Sequence, residues 1–259
     1  MLRLLLASLA LVMTTALSFS QGSFHKNSVI AHRGAWKANG LPQNSIASLN
    51  EAVRLQCEGS EFDVWMTADG VPVVNHDADF LEMPIETTSF KELRSKKLPN
   101  GEKIPTVKEY LKRGMKQNGT KLIVEVKPSK ISVARSEELA AKCVAIVKDM
   151  KAEKWVDYIT FSYEAGKKII ELDPKANVAY LNGEKSPAEL KEAGFFGFDY
   201  NIRIVRAKPE WIKEAQELGL TVNVWTVNNP EDMQWLLDQK VDFITTDEPE
   251  LLFGLIQGK

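Results

Sequence analysis

Short apolar runs alternate with amphipathic segments along this chain from residue 28 onward. The apolar runs have the length of buried strands, and the segments between them have helical periodicity. Eight strands alternating with helices predict a (β/α)8 TIM barrel, and an open doubly wound sheet is the alternative. The chain lacks a glycine-rich dinucleotide loop, which weakens that alternative. The predicted strands are 28–32, 60–65, 121–126, 156–161, 177–181, 195–199, 221–226 and 241–245. The predicted helices are 44–57, 106–118, 134–151, 164–172, 187–193, 208–219 and 230–238.

One segment departs from this alternation and predicts a β-hairpin. It reads VWMTADGVPVVNHD, with apolar residues on both sides of the turn-forming pair Asp69-Gly70. The period of two along a strand places Glu61 and Asp63 on one face. Folding the chain back at the turn returns His76 to the vicinity of those two carboxylates.

Residues 78–105, which follow the hairpin, show no clean period and predict a small insertion over the barrel mouth. The insertion is too short for a domain with a core of its own. It is either a flap that covers the substrate or a solvated loop with one short helix at 89–95. The barrel itself is predicted to span residues 28–255.

Length and composition narrow the class of protein. The chain has 259 residues, 44% of them hydrophobic, which is enough for one large core. Its formal net charge is −2, with 33 basic and 35 acidic residues. A nucleic-acid-binding protein would normally show a basic excess, so we expect no nucleic-acid partner. The sequence does not indicate an oligomeric state.

The first twenty residues have the order of a secretory signal peptide. Arg3 precedes an apolar run, and small residues follow it. We therefore expect residues 1–20 to be removed near Ser20–Gly22, and the protein to be exported to a periplasmic or extracellular location. The run is short for a stable transmembrane span, so we expect no membrane insertion after cleavage, although an uncleaved anchor is the alternative.

The two cysteines, Cys57 and Cys143, lie in helix-like stretches far apart in the sequence. An exported protein could oxidise them, but pairing cannot be deduced from spacing. Two buried free thiols are the favoured interpretation.

Five reactive side chains lie at or near the ends of predicted strands: His32, Glu61, Asp63, His76 and Glu125. In a parallel barrel, strand ends of one sense open onto a single face, where barrel enzymes carry their chemistry. The three carboxylates are hard oxygen ligands that suit one divalent cation, Mg²⁺ or Ca²⁺. A single buried acid is more often the partner of a basic residue in a salt bridge. Here three acids occur together, and the predicted hairpin brings a histidine close to two of them, so a metal site is favoured.

The remaining candidates suit a phosphodiester substrate. His32 and His76 can donate or accept a proton near neutral pH, and the sequence does not say which does which. Arg33 and Lys127 follow two strand ends and are candidates for binding phosphate. Ordinary charged residues at strand termini are the alternative for both.

Seven segments together resemble the glycerophosphodiester phosphodiesterase family: HRG, QNS, EFD, TADGVPVVNHD, EVK, VWTVN and FITTDEP. The resemblance implies a TIM barrel, a bound divalent cation and hydrolysis of glycerophosphodiesters to glycerol 3-phosphate and an alcohol. It also implies that His32 and His76 are the acid and base, and it places Trp225 in the pocket wall against the glycerol. Asn44 either faces the substrate or caps the first helix.

One position departs from the family pattern. Gln43 stands where a glutamate is common, so metal affinity or preference could differ. Two other functions remain open at this point. One is a phospholipase D-type lipid phosphodiesterase acting on lysolipids, and the other is a non-catalytic barrel that binds polyol phosphates.

Overall fold

Eight parallel strands close into a barrel in this computed structural model, which describes residues 23–258. The strand order is β1-β11-β10-β9-β8-β7-β6-β2, and pairing of β1 with β2 closes the ring. The TIM-barrel prediction is confirmed, and each predicted barrel strand ends within two residues of the observed one. The strands are β1 Val29–Ala31, β2 Gly59–Met66, β3 Pro72–Val74, β4 Asp79–Phe80, β5 Met83–Pro84, β6 Lys121–Val126, β7 Val156–Thr160, β8 Val178–Tyr180, β9 Gly197–Asn201, β10 Thr221–Trp225 and β11 Phe243–Thr246.

Helices cover the outside of the barrel, and all seven predicted helices are present. Their apolar faces pack on the outward-facing strand residues in one large core. The pattern missed α7, which continues directly from β9, and α10, whose sequence PELLFGLIQ has almost no polar face. The helices are α1 Ile46–Arg54, α2 Phe90–Leu93, α3 Val107–Gly114, α4 Val133–Asp149, α5 Tyr163–Leu172, α6 Pro187–Glu192, α7 Ile202–Ala207, α8 Glu210–Glu217, α9 Pro230–Asp238 and α10 Pro249–Gln257.

The predicted hairpin is present. Strand β3 pairs antiparallel with the end of β2, with Val64 opposite Val74. Gly70 occupies the turn with a φ of 78°, a conformation that glycine adopts without strain. The backbone N–H of Asn75 donates to the carbonyl of Asp63 at 3.0 Å. The hairpin therefore holds His76, the next residue, at the same end of the barrel as β2.

The insertion is a packed structure and not a loose flap. It contains the β4–β5 hairpin, a short 3-10 turn at Ile85–Thr87 and α2, close to the predicted helix at 89–95. Its apolar residues join the hairpin in a second buried cluster, formed by Trp65, Val73, Phe80, Ile85, Leu93 and Ile104. The predicted short helix is therefore present, and the insertion packs against the hairpin.

Three further predictions concern the whole chain. Cys57 and Cys143 are buried free thiols, as favoured from the sequence. No helix within residues 23–258 is long and apolar enough to cross a membrane. The predicted signal peptide lies outside the described residues, so it stays a prediction.

Candidate active site

A tight turn after β1 begins the site, and Gly34 makes it possible. Its φ is 79°, and a Cβ there would lie 2.5 Å from Oγ and 2.6 Å from the carbonyl carbon of Ser48. Arg33 also has a positive φ, 58°. In this conformation the Arg33 backbone N–H donates to Oε2 of Glu61 at 2.8 Å. The turn thus ties the end of β1 to both α1 and the neighbouring strand.

Glu61, Asp63 and Glu125 form a buried acidic cluster at the barrel mouth. Asp63 on β2 is in register with Glu125 on β6, and the three side chains offer oxygens within 4.8 Å of one another. Burial, followed by repulsion from Asp63, raises the pKa of Glu125 to about 8. Burial and the other two carboxylates also raise the pKa of Glu61 well above its ordinary value. The cluster therefore resists full ionisation without added positive charge.

Lys127 and Asn44 hold Asp63 ionised within this cluster. The Lys127 ammonium lies 3.0 Å from Oδ1 of Asp63 and 2.8 Å from Oε1 of Glu125; the second contact is an ion pair without hydrogen-bond geometry. Burial opposes ionisation of Asp63, but Lys127, the two histidines and the Asn44 amide hold its pKa below the ordinary value. Lys127 is itself only 9% exposed, so its charge acts in a poorly solvated environment.

The expectation that Asn44 binds substrate needs correction. Its amide Nδ2 donates to Oδ2 of Asp63 at 2.8 Å, and the Asp63 backbone N–H donates to its Oδ1 at 3.0 Å. Both polar atoms are thus used within the protein, and the residue is buried. The alternative, a cap on α1, is wrong as well, because Ser45 is the N-cap. Asn44 positions a carboxylate instead.

The acidic cluster fits a divalent cation. A Ca²⁺ ion bound at about 2.4 Å from each ligand spaces its ligands no more than about 4.8 Å apart. The three carboxylates meet that limit. In addition, Oε1 of Glu61 is buried without a hydrogen-bond partner, as expected of an oxygen reserved for a ligand. Glu61, Asp63 and Glu125 are therefore the residues that could hold the ion.

His32 is oriented by a carboxylate that the sequence analysis missed. Its Nδ1 lies 2.7 Å from Oδ1 of Asp247, which follows β11. Trp36 Nε1 and Asn228 Nδ2 also donate to this carboxylate, at 3.3 and 2.7 Å. Burial opposes ionisation, but these donors and His32 keep the pKa of Asp247 low. Asp247 thus accepts the Nδ1 proton of His32 and leaves Nε2 available. The sequence could have indicated Asp247 as a site residue, because it lies in the segment FITTDEP at the end of the last strand.

His76 has a similar but more exposed partner. Its Nδ1 lies 2.7 Å from Oδ1 of Asp77, whose side chain is 79% exposed. Trp65 Nε1 donates to the His76 carbonyl at 3.0 Å and fixes the backbone. Partial burial, despite the attraction of Asp63, lowers the pKa of His76 below its ordinary value. A neutral imidazole is therefore favoured near neutral pH.

One cavity of about 130 Å³ at the barrel mouth joins most of these groups. We call one side of it the charged half, formed by His32, Arg33, Glu61, His76, Glu125 and Lys127. The opposite side is the apolar half, formed by Ile159, Phe161, Leu181 and Trp225 together with Asp199. The structure thus brings together every predicted site residue except Asn44 and Asp63, which are not part of the lining, although Asp63 belongs to the acidic cluster.

The apolar half contains a second residue that the sequence analysis missed, Asp199 on β9. It is 1% exposed, and neither carboxyl oxygen has a hydrogen-bond partner within residues 23–258. Burial, and then the charge of Glu125, raises the pKa of Asp199 well above its ordinary value. Trp225 Nε1 donates to the Asp199 carbonyl at 2.9 Å, and its ring packs edge-on against Phe161. The only indication of this residue in the sequence was a polar position between two aromatic residues, Phe198 and Tyr200, in a predicted strand.

Gln43 contacts the charged half through Arg33. The Arg33 guanidinium donates from Nη1 to Oε1 of Gln43 at 2.6 Å, and its Nε lies 3.8 Å from Oδ2 of Asp63. The residue that departs from the family pattern is thus a neutral partner of Arg33 in this chain, and the three carboxylates of the cluster are all present.

A parallel barrel with an acidic cluster and two oriented histidines at its carboxyl end defines a phosphoric diester hydrolase. The Glycerophosphoryl diester phosphodiesterase family matches residues 32–251, and the chain belongs to that family. The resemblance seen in the sequence is thereby confirmed.

Individual relatives agree with this assignment. A glycerophosphodiester phosphodiesterase from Parabacteroides distasonis shares 46% identity and a TM-score of 0.87, covering 91% of this chain and 99% of that one. A glycerophosphodiester phosphodiesterase from Caldanaerobacter subterraneus is 29% identical, covering 90% of this chain and 98% of its own length. A phosphodiesterase from Oleispira antarctica, solved with the product sn-glycerol-3-phosphate, has a TM-score of 0.76 at 24% identity, over 89% of this chain and 97% of that one. That last likeness shows the shared fold.

Proposed function

We propose that this protein is an exported, metal-dependent enzyme that hydrolyses glycerophosphodiesters to glycerol 3-phosphate and an alcohol. The observation that carries the proposal is the convergence of two histidines and a three-carboxylate cluster at one cavity of the barrel mouth. The relative at 46% identity, which bears the name glycerophosphodiester phosphodiesterase, supports the substrate class.

Charge neutralisation of the phosphate is the first task of this site. A divalent cation, Mg²⁺ or Ca²⁺, held by Glu61, Asp63 and Glu125 would supply Lewis-acid stabilisation of a non-bridging phosphate oxygen. Arg33 adds a guanidinium at the edge of the same cavity, with a geometry suited to phosphate. Lys127 contributes a fixed positive charge beside Glu125 and keeps Asp63 ionised. These residues bind and orient the phosphate between the two histidines.

The two histidines divide the proton transfers. His76, whose pKa is lowered, is the base that takes a proton from the attacking oxygen, either of water or of the neighbouring glycerol hydroxyl. His32, whose Nδ1 is held by Asp247, is the acid that protonates the departing alcohol oxygen as its bond to phosphorus breaks. Each proton that leaves the nucleophile is thus matched by one delivered to the leaving group.

The pH dependence of kcat/KM tests this division. His76 must be neutral to act, and its pKa lies below the ordinary value of 6.5. We expect the acidic limb of the profile to have a midpoint below 6.5 and to flatten in the His76→Ala variant. A midpoint above 6.5, or an acidic limb that disappears only in the His32→Ala variant, would indicate that His32 is the base and His76 the acid.

The activity itself is tested by release of glycerol 3-phosphate from glycerophosphocholine and glycerophosphoinositol. We expect EDTA to stop release and either Mg²⁺ or Ca²⁺ to restore it, which also identifies the metal. No hydrolysis of these substrates or of lysolipids with any cation would reject the enzyme and favour the polyol-phosphate-binding barrel.

A lysolipid substrate is the second candidate, and one observation favours it. Leu81, Ile131 and Val133 are large apolar side chains that are 41, 58 and 56% exposed. They lie on adjacent segments, because the Glu86 carboxylate in the insertion accepts from the Ser129 hydroxyl. Choline is released from both substrates, so choline release from lysophosphatidylcholine, compared with choline release from glycerophosphocholine, decides between the two. Faster turnover than glycerophosphocholine, lost in a triple serine variant of the apolar residues, would establish the lipid enzyme.

Export rests on the sequence of residues 1–20 alone. Expression of the full chain in a bacterial host, followed by intact-mass measurement of the protein recovered outside the cytoplasm, tests it. We expect a mass that corresponds to cleavage near Ser20–Gly22. A full-length chain retained with the membrane fraction would indicate the uncleaved anchor.

A further inference from the structure

We propose that Asp199 is a substrate-binding residue that hydrogen-bonds the terminal hydroxyl of the glycerol group. This inference rests on the proposed function and identifies which part of the substrate enters the apolar half of the cavity.

Every side chain of the charged half already has a partner within the protein. Asp247 and Asp77 contact the two histidines, Gln43 contacts Arg33, and Lys127 contacts Glu125. Glu61 accepts the backbone N–H of Arg33. Such partners hold the charged half in one arrangement before any substrate arrives.

Asp199 is the exception in this lining. Its carboxyl group is 1% exposed and makes no hydrogen bond, although it borders the cavity. A buried carboxyl group without a partner costs folding free energy, so a native structure retains one where a ligand or water completes it. It also lies outside the cluster of three carboxylates that could share one cation. The missing partner is therefore a hydrogen-bonding group that enters the cavity.

The surroundings of Asp199 indicate what that partner is. Phe161, Leu181 and Trp225 form apolar surface beside it, which suits the carbon chain of a small alcohol. A neutral, buried carboxyl group can both donate to and accept from a hydroxyl. The cavity holds about 130 Å³, which the phosphate must share, and this favours a glycerol group over a bulky head group. Variable head groups would then leave through the open mouth.

The position of Asp199 across the barrel selects one of the two glycerol hydroxyls. Strand β9 is four strands away from β2 in the ring of eight, so Asp199 lies opposite the acidic cluster. The secondary hydroxyl is close to the phosphate and stays near the charged half. The terminal hydroxyl is one carbon farther from phosphorus and is the group that can reach Asp199.

The test combines two substrates with three proteins. The substrates are glycerophosphocholine and 2-hydroxypropyl phosphocholine, in which a methyl group replaces the terminal CH2OH. The proteins are the wild type, Asp199→Ala and Asp199→Asn, each loaded with the activating cation. A hydrogen bond to a substrate hydroxyl in a buried site predicts about a tenfold to hundredfold preference of the wild type for glycerophosphocholine in kcat/KM. We expect Asp199→Ala to lose that preference while it hydrolyses the deoxy substrate about as fast as the wild type does.

Asp199→Asn serves as the conservative variant because a carboxamide also donates and accepts. We expect it to keep part of the preference, with a Tm no lower than that of the wild type. Equal losses on both substrates in both variants would overturn the proposal, since Asp199 would then act without contacting the hydroxyl. Retention of the full preference by Asp199→Ala would overturn it too.

Failure of the proposed function would be visible separately, as a wild type that hydrolyses neither substrate. In that case calorimetric binding of sn-glycerol 3-phosphate and its terminal-deoxy analogue makes the same comparison without turnover. We expect about a tenfold affinity difference in the wild type that is absent in Asp199→Ala. No difference in the wild type would reject Asp199 as the hydroxyl-binding residue.

Discussion

The charged and apolar halves of the cavity use buried polar groups in opposite ways. In the charged half, each side chain is held by another part of the protein, as the contacts between His32 and Asp247 and between Lys127 and Asp63 illustrate. In the apolar half, the carboxyl group of Asp199 has no hydrogen-bond partner in the part of the chain that the structure describes. The side chains of the charged half are thus held in place before substrate binds, even though Oε1 of Glu61 has no hydrogen-bond partner among the described residues. The carboxyl group of Asp199 gains a partner only when a ligand binds.

This difference suggests that the charged half carries out the reaction and that the apolar half recognises the substrate. Groups that stabilise a transition state act best when they are already fixed, because the protein then pays no reorganisation cost during the reaction. A group that discriminates between substrates acts best when its hydrogen bond is satisfied by the correct substrate alone, since the wrong one leaves it unpaired. We therefore expect substitutions in the charged half to lower kcat and those in the apolar half to change substrate preference.

The largest effect should come from His32. Replacement by alanine removes the proposed acid, and loss of a general acid lowers kcat by about a hundredfold to ten-thousandfold. His25→Ala is the matched control, because His25 precedes β1 and is absent from the cavity lining. Steady-state kinetics with glycerophosphocholine measure both. Wild-type kcat in the His32→Ala variant would reject the proposed acid–base pair.

The carboxylates that orient the two histidines should differ in effect. Asp247 is 18% exposed at its side chain and Asp77 is 79% exposed, so solvent weakens the second contact far more. We expect Asp247→Asn to lower kcat by about tenfold to a hundredfold, a size typical of groups that orient a functional histidine. Asp77→Asn should lower it by less than about threefold. Equal losses in the two variants would show that burial of the partner does not set its importance.

Cation binding should stabilise the protein, and more so at higher pH. Glu125 has a folded pKa of about 8 against an ordinary value of 4.5, so the metal-free folded state binds more protons than the unfolded chain. The stability that this residue contributes is therefore full below pH 4.5 and is lost as the pH rises toward 8. A cation that replaces those protons adds about 2.7 kcal/mol at a hundredfold excess over its Kd. Tm measured with and without the activating ion should diverge between about pH 5 and pH 8. A constant difference would contradict this.

The smallest effect should come from the wall of the apolar half. Trp225→Phe removes the hydrogen bond to the Asp199 carbonyl, worth about 1 kcal/mol, but retains an aromatic ring beside Phe161. We expect a severalfold rise in KM for glycerophosphocholine with little change in kcat. Trp235→Phe on α9 is the control outside the cavity. A decrease in kcat with no change in KM would indicate that Trp225 acts in the reaction, like the residues of the charged half, and not in substrate binding.

The positions of the catalytic candidates were predictable because the barrel imposes them. Once His32, Glu61 and Glu125 are assigned to the ends of parallel strands, the topology brings them to one face. The hairpin then adds His76 through a turn that is visible as Asp69-Gly70. Local patterns missed α7, because it continues directly from β9, and α10, because its sequence has almost no polar face.

The partners of these residues were not predictable, because each pairing joins distant parts of the chain. Asn44 lies 19 residues from Asp63, and His32 lies 215 residues from Asp247. Nothing in the local sequence distinguishes an asparagine that faces substrate from one whose amide is used by a neighbouring strand.

The sequence by itself therefore determined the barrel, the family and the identity of the reactive side chains, since strand and helix periods and strand ends are local properties. Only the tertiary structure decided which carboxylate stays ionised, which histidine is buried with its partner and which acid has no partner. Those outcomes depend on distance and desolvation, and both are set by closure of the barrel, which brings β9 to the side opposite β2.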